Sequence, residues 1–234
     1  MTPTRVAIVT GANRGIGYEL ARQLAAAGTL VIATARTEQT ARGTAAKLRA
    51  EGADVRPATL DLTDQDSIDG LVADSIIQHS RIDVLVNNAA IAIDARMPAA
   101  QPDLDTAHRT IETNLIGTWR MCAAVIPHMR AAGYGRILNL TTHMAILSEM
   151  KAGSPAYRIS KTGINALTRI LADELAGTGI LINAASPGRV QTRIGPAHAD
   201  RSPAEAASEL LWLTALPPSG PTGGVFYQGA SLPW

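Results

Sequence analysis

Between Val6 and Ala27 the chain passes from a short β-branched run, through a turn holding three glycines, into apolar residues at helical spacing. Thr10-Gly11-Ala12-Asn13-Arg14-Gly15-Ile16-Gly17 lets the backbone turn sharply and come close to a ligand. A helix that starts there offers free N–H groups and the positive end of its dipole, which suits a pyrophosphate. Glycines also precede helices in plain turns, so the position is what matters. This trio follows the first strand, and a second strand, residues 30–34, comes soon behind. Strand, glycine turn, helix, strand is the opening of a dinucleotide-binding unit.

The alternation then repeats. Residues 38–50 predict a helix closed by Gly52, and residues 55–60 a third strand. Thr63 is placed to cap a helix reaching about His79, and residues 82–86 are apolar but for Asp83, as in strands buried on both faces of a parallel sheet. From about Asp103 to Ala132 the pattern is helical, with Pro127 expected to kink or end the main run. Strands are predicted over 136–141, 180–184 and 225–227, and a helix runs from Ser154 to about Gly177. Ser202, Pro203 and Glu205 mark a further helix start, with N-cap, first-turn proline and capping-box acid. Seven strands separated by helices of crossover length give an α/β fold: a Rossmann-type, doubly wound, mainly parallel sheet with helices on both faces. No linker or repeat divides it, so residues 1–234 are expected to form one dinucleotide-binding and catalytic domain. The longest irregular stretches, 91–102 and 186–201, follow strands four and six and are the expected substrate loops.

Composition narrows the function classes. A formal net charge of +1 with 18% charged residues gives no electrostatic case for nucleic acid or for an anionic membrane surface. Cys122 is the single cysteine, so no internal disulfide forms, and no thiol or histidine cluster beside it suggests a metal site. A reduced, cytoplasmic setting follows. The N-terminus carries no long apolar run with a cleavage site, and no stretch approaches the length needed to cross a bilayer.

A second constellation lies in Ser154–Lys161, SPAYRISK, where Tyr157 and Lys161 stand one helical turn apart. That spacing brings a phenol and an ammonium onto one face, able to act on one point. Tyrosine is a poor acid or base at neutral pH unless its phenolate is stabilised. A neighbouring cation does this, as does the positive ring of an oxidised nicotinamide. The same pair also occurs by chance on ordinary half-exposed helix faces.

The order of these pieces resembles the short-chain dehydrogenase/reductases. TGANRGIG, then NNAA at Asn87–Ala90, Asn114 in ETNLIG, Thr141-Thr142 ending a strand, Tyr157 with Lys161, and SPGRVQT at Ser186–Thr192 fall in that family's order and approximate spacing. The closing GPTGGVFYQGASLPW looks like the carbonyl-reductase-like branch. The resemblance implies that Tyr157 protonates a carbonyl oxygen in reduction, or takes the proton in reverse. It implies that Lys161 lowers the Tyr157 pKa and holds the nicotinamide ribose, and that Asn114 supports a water chain relaying protons to that lysine. Thr142 falls where the family usually has serine. Its hydroxyl makes the same bond to a substrate oxygen, but its methyl restricts the rotamer. Ala90 departs from the family's glycine, a methyl that need not change function. Asn87 and Asn88 have the further option of pinning strand backbones.

The cofactor is read from charge. In this type of fold an acidic residue after the second strand holds the ribose diol of NAD, whereas arginine suits a 2′-phosphate. Here Ala35 is followed by Arg36, and Arg14 lies in the glycine turn, which favours NADP(H) over two solvated surface arginines. By resemblance, Gly11, Asn13, Gly15, Ile16 and Gly17 hold the pyrophosphate, Asp61 and Leu62 flank the adenine, and Asn88, Ala89 and Ala90 lie beside the cofactor. Asp61 is equally suited to a turn. The same resemblance implies that Pro187, Gly188, Val190 and Thr192 lie over the nicotinamide. His143 follows Thr142 at a strand end, where histidine is more often solvated than substrate-facing. Glu149, Lys151, Arg189 and Arg193 lie in the substrate loops, and Trp119 and Met121 read as helix packing.

The expected activity is NADPH-dependent reduction of a small ketone or aldehyde, or secondary alcohol oxidation in reverse. A ketoacyl or polyketide-type reductase is the next reading. A non-catalytic NADP(H)-binding sensor or interaction module is the rival from another class. No nucleic-acid or membrane partner is expected, and the resemblance is compatible with a monomer or with a homo-oligomer, dimer or tetramer.

Overall fold

The computed structural model describes residues 4–195 and 198–234. The readings of Met1–Pro3 and of Pro196 and Ala197 in the 186–201 loop lie outside the described residues. The chain alternates β1 (Val6–Val9), α1 (Gly15–Ala26), β2 (Leu30–Ala35), α2 (Glu38–Ala50), β3 (Val55–Thr59), α3 (Gln65–His79) and β4 (Val84–Asn87). It continues with α4 (Leu104–Ile111), α5 (Gly117–Ala132), β5 (Gly135–Leu140), α6 (Pro155–Glu174), β6 (Ile180–Ala185), α7 (Pro203–Leu210), β7 (Val225–Tyr227) and β8 (Ala230–Ser231).

The strands form one sheet of order β3-β2-β1-β4-β5-β6-β7-β8. β1 through β7 pair in parallel and β8 returns antiparallel to β7, so the sheet has eight strands rather than seven. The added strand is two residues long, too short for a periodic signal. Its turn, Gln228-Gly229, has φ of 49° and 75°, the pair of positive values that a tight antiparallel hairpin requires.

Alternate residues along each strand feed two cores. Ile8, Ile32, Leu85, Ile137 and Ile182 pack on one face with α3, α5 and α6, and Val9, Val31, Val86 and Leu138 on the other with α1, α2 and α7. This two-faced burial is what the unbroken apolar strands demand, each full Leu or Ile burial contributing about 1.5–3 kcal/mol. The order of the sheet reverses between β1 and β4, the place where sheets of this type bind ligands outside the carboxyl ends of their strands.

Three local expectations change. Asp64, not Thr63, caps α3, accepting from the Asp66 N–H, because the Thr63 amide and hydroxyl are both taken by Asp61. α5 runs through Pro127 to Ala132; the carbonyl left without its helical donor belongs to Ala123, an exposed residue that water can satisfy. The long helical pattern before it is interrupted by a π-turn at Glu112–Ile116, which carries Asn114.

Candidate active site

The glycine turn sits at the reversal point. Gly11 and Gly15 have φ of 64° and 56°, which only glycine adopts without strain. A Cβ on Gly17 would lie 2.3 Å from Asn88 Nδ2 and 2.5 Å from the Gly11 carbonyl oxygen. Asn88 explains that closeness: Nδ2 donates to the Thr10 and Gly11 carbonyls at 2.9 and 3.1 Å, while the Asn88 and Ala89 amides donate to Thr10 Oγ1, both at 3.0 Å. The NNAA segment after β4 is thereby fastened to the turn after β1. Asn87 points to another role, with Nδ2 donating to Asn139 Oδ1 at 2.9 Å across β4 and β5. The option of pinning strand backbones thus fits Asn88, whereas Asn87 ties side chains together. Ala90, like Ala89, is half-buried.

The N-terminus of α1 is open. Arg14 occupies the N-cap position without a side-chain cap bond, and the first turn holds no acidic residue. The orphan amides of Gly15, Ile16 and Gly17 therefore keep their capacity to bind an anion. Asn13 and Ile16 flank this opening half-buried, and Arg14 and Arg36 are exposed beside it. Asp61 lies after β3, its Oδ1 accepting the Thr63 amide at 2.9 Å and hydroxyl at 2.7 Å. These bonds hold its carboxyl below the usual carboxylate range, with the charge of Arg36 adding to the effect. Asp61 is thus a turn residue and a close neighbour of Arg36 at once. Leu62 is buried against Gly117, where a Cβ would come within 2.7 Å of it.

Tyr157 and Lys161 lie on α6, which packs against the turn after β5 that Thr142 opens. Lys161 is 3% exposed, and its Nζ donates to the Leu140 carbonyl at 2.8 Å and lies 5.9 Å from the Tyr157 ring centre. Burial pulls its pKa down to about 8. The Tyr157 phenol is pushed up to about 12, first by burial and then by the charge of Asp94. The lowering expected of Lys161 does not set this direction. The ammonium is turned to a backbone carbonyl, and the forces that dominate at the phenol come from burial and from a carboxylate in a distant loop. Thr142 Oγ1 accepts the Met144 amide at 3.3 Å and caps a short 3₁₀ turn at His143–Ala145, which leaves its hydroxyl proton for another acceptor.

Asn114 is fully buried. Its Oδ1 accepts the Ile91 amide at 2.8 Å, and its Nδ2 donates to the Ile91 carbonyl at 2.8 Å and to Ser160 Oγ at 3.1 Å. It thus joins the root of the 91–102 loop to α6. Its backbone carbonyl accepts Thr118 Oγ1 at 2.7 Å.

The 186–195 segment runs from the end of β6 to the glycine turn. A Cβ on Gly15 would meet Thr192 Cγ2 at 3.3 Å, so Thr192 reaches the glycine turn. Gly188, with φ of 75°, lies against Tyr227, and the Pro187 carbonyl accepts from Arg201 Nη1 at 3.0 Å. Val190 is buried and bridged to Arg201. His143 is half-buried rather than solvated: Nδ1 lies 2.8 Å from Ser186 Oγ, and the ring meets Tyr227 edge-on. Glu149, Lys151, Arg189 and Arg193 are on the exposed rim. Met121 is core, but Trp119 is 52% exposed and does not pack as expected. Cys122 is buried, its thiol pushed up to about 12 by burial, and so is inert.

Sequence reasoning missed Asp94, Ser160 and the His143–Ser186 contact. Each depends on a partner far along the chain, and no local spacing announces it.

A glycine turn at the reversal point of a parallel sheet, with a half-buried tyrosine one helical turn from a buried lysine, defines a dinucleotide-binding α/β protein. The chain belongs to the short chain dehydrogenase family, whose model matches residues 5–202. It is 39% identical over 197 residues to the short-chain reductase protein NovJ of Streptomyces niveus, covering 84% of this chain and 73% of that one. It is 33% identical to carbonyl reductase [NADPH] 1 of Oryctolagus cuniculus, covering 94% of each chain. Among solved structures it superposes on a phenylalanine-to-tryptophan variant of actinorhodin polyketide ketoreductase with NADPH at a TM-score of 0.87 and 30% identity, covering 95% of this chain and 94% of that one. Among the described residues no helix is long and apolar enough to cross a membrane.

Proposed function

We propose that this oxidoreductase uses NADPH to reduce the carbonyl of a small ketone or aldehyde, and in reverse oxidises a secondary alcohol. The observation that carries this reading is the Tyr157–Lys161 pair, a half-buried tyrosine beside a buried ammonium, together with an α1 N-terminus that no side chain caps. The reversal point suits a dinucleotide. Gly17 leaves no room for a side chain, the amides of Gly15–Gly17 can take a pyrophosphate, and Arg14 and Arg36 can take a 2′-phosphate. Asp61 and Leu62 would border the adenine, and Asn88, Ala89, Ala90, Pro187, Gly188, Val190 and Thr192 would enclose the nicotinamide end. NADPH, when bound, supplies the hydride.

The chain's residues manage the oxygen and its proton. Thr142 donates a hydrogen bond to the carbonyl oxygen, and Tyr157 hands its phenolic proton to that oxygen as negative charge develops there. A phenol held at about pKa 12 is fully protonated at neutral pH, the state a proton donor needs. Lys161 steadies the phenolate that remains, and Asn114 holds the adjoining loop and helix in register for the proton's replacement. The domain is a single unit, and a reducing cytoplasmic compartment fits its one buried thiol.

The names of NovJ, of the rabbit carbonyl reductase and of the actinorhodin enzyme all describe reductases, two of them with NADPH. The polyketide relatives favour a second reading within the class, reduction of a ketoacyl thioester. Calorimetric titration with NADPH and NADH tests the cofactor, and a panel of free ketones, aldehydes and ketoacyl thioesters tests the substrate. Tighter NADPH binding with turnover of free carbonyls is expected. Turnover of thioesters alone would select the second reading, and binding without turnover of any carbonyl would favour a nucleotide sensor.

A further inference from the structure

α6 begins irregularly. Ser154 takes the N-cap position with φ of 50° and ψ of 53°, a left-handed conformation uncommon for a residue with a side chain, and makes no side-chain cap bond. The preceding Gly153 also has positive φ, 90°. The amide that an N-cap side chain would ordinarily satisfy is that of Tyr157, third in the helix after Pro155 and Ala156. It donates instead to Asp94 Oδ2, at 3.0 Å, from the loop after β4. Asp94 is 2% exposed. A carboxylate at this place is favoured by the helix dipole as well as by the bond.

We propose that Asp94 is the positioning residue of Tyr157: its carboxylate supplies the cap that Ser154 does not and latches the 91–102 loop onto the helix turn that carries the phenol. The inference rests on the reading of Tyr157 as the proton donor. Two further observations support it. The loop is held at its root by Asn114, so Ile91 and Asp94 are anchored on either side of a short segment and a shift in one is felt by the other. The second carboxylate oxygen, Oδ1, is buried without a hydrogen-bond partner, and Asp94 is in none of the ion pairs among the described residues. A buried oxygen left unpaired is costly, and such groups concentrate where function retains them.

The unspent charge acts on the phenol. The other titratable groups around this turn are engaged elsewhere: Lys161 with the Leu140 carbonyl, Arg158 with the Gly153 and Met144 carbonyls, and His143 with Ser186. Asp94 therefore opposes ionisation of Tyr157, which keeps the donor protonated for reduction and delays its action as a base in alcohol oxidation. The attachment of the loop to α6 and the protonation of the phenol thus depend on one carboxylate.

The test compares Asp94→Asn, which keeps an oxygen to accept the Tyr157 amide and removes the charge, with Asp94→Ala, which removes both. Hydrogen exchange of the peptide spanning 154–160 is expected to quicken about tenfold or more in Asp94→Ala, and little in Asp94→Asn. In Asp94→Asn the acid limb of the kcat/KM profile for alcohol oxidation is expected to move down by about one pH unit, the scale of one neighbouring charge, with NADPH affinity unchanged. Unchanged exchange in Asp94→Ala would overturn the latch, and a profile superimposed on the wild type would overturn the charge coupling. If the wild type turns over no carbonyl or alcohol, the reading of Tyr157 fails by itself, and the exchange experiment still decides whether Asp94 caps the helix. If Asp94→Ala does not fold, exchange in Asp94→Glu, whose longer carboxylate is displaced from the amide, takes its place and is expected to quicken likewise.

Discussion

Lys161 Nζ donates to the Leu140 carbonyl at 2.8 Å and stands 5.9 Å from the centre of the Tyr157 ring. The ammonium is thus held at the end of β5, close to the phenol but not bonded to it, and burial lowers its pKa to about 8 from the ordinary 10.5. A buried cation that is more acidic than in the unfolded chain destabilises the fold wherever it is protonated. Between those two values the unfolded chain binds more protons than the native one, so stability rises with pH across that window. The full effect is about 3 kcal/mol. Lys161→Met should abolish this slope and be more stable than the wild type at pH 7 by about 1–3 kcal/mol, the unpaired Leu140 carbonyl offsetting part of the gain. Urea unfolding of both proteins from pH 7 to 10 measures it. Activity should be lost in the same variant, since the site retains a costly lysine for what it does there.

Arg14 and Arg36 are exposed, and the charge of Arg36 is felt at Asp61, so the two cations border the place assigned to the adenine ribose. Arg36→Ala should weaken NADPH about tenfold and leave NADH nearly unaffected, because only the 2′-phosphate needs a charge-assisted bond. The double Arg14→Ala, Arg36→Ala variant should show no preference. Equal losses for both dinucleotides would place the arginines on the shared pyrophosphate instead.

Gly17 is the least replaceable glycine of the turn. A methyl there meets Asn88 Nδ2 and the Gly11 carbonyl at 2.3 and 2.5 Å, and the Asn88 bonds that fasten β4 to the turn must yield. Gly17→Ala should cost about 1–3 kcal/mol in stability and abolish dinucleotide binding. Thermal melting with and without NADPH reads both effects; a ligand-induced rise equal to the wild type's would contradict this view of the turn.

Thr142 caps the turn after β5 through the Met144 amide, which fixes its rotamer with the hydroxyl proton to spare. Thr142→Ser keeps the oxygen and should stay within a few-fold of wild-type kcat/KM. Thr142→Ala should lose about a hundredfold, the usual scale for one donor to a developing oxyanion, together with about 1 kcal/mol of cap stability. An alanine variant that melts lower but turns over normally would leave Thr142 a cap alone.

What the sequence discloses follows the range of the interaction that fixes each feature. The glycine turn, the helix start at Ser202 with its reciprocal Glu205 bonds, and the Tyr157–Lys161 spacing all have causes within a few residues. The cap at Asp64 is hidden by a competition between neighbours, in which the Asp61 side chain claims Thr63 first. β8 is visible only through the hairpin geometry of Gln228 and Gly229, and the π-turn around Asn114 leaves an ordinary helical pattern in the sequence. Asp94 is the extreme case: its partner lies 63 residues away, and nothing in the stretch around it marks it as more than a loop residue. The direction of the Tyr157 shift depends on burial and then on the Asp94 charge, neither of which the pair's spacing discloses.

In the proposed function, Tyr157 passes a proton to a carbonyl oxygen in a site that binds NADPH largely through other residues. The direct test is Tyr157→Phe, which removes one oxygen from a half-buried ring, with NADPH affinity by calorimetry and ketone reduction followed on the same preparation. We expect affinity within about threefold of wild type and turnover reduced by about a thousandfold or more, as for loss of an essential proton donor. A variant that keeps most of its rate would contradict the account, whatever its affinity for the dinucleotide.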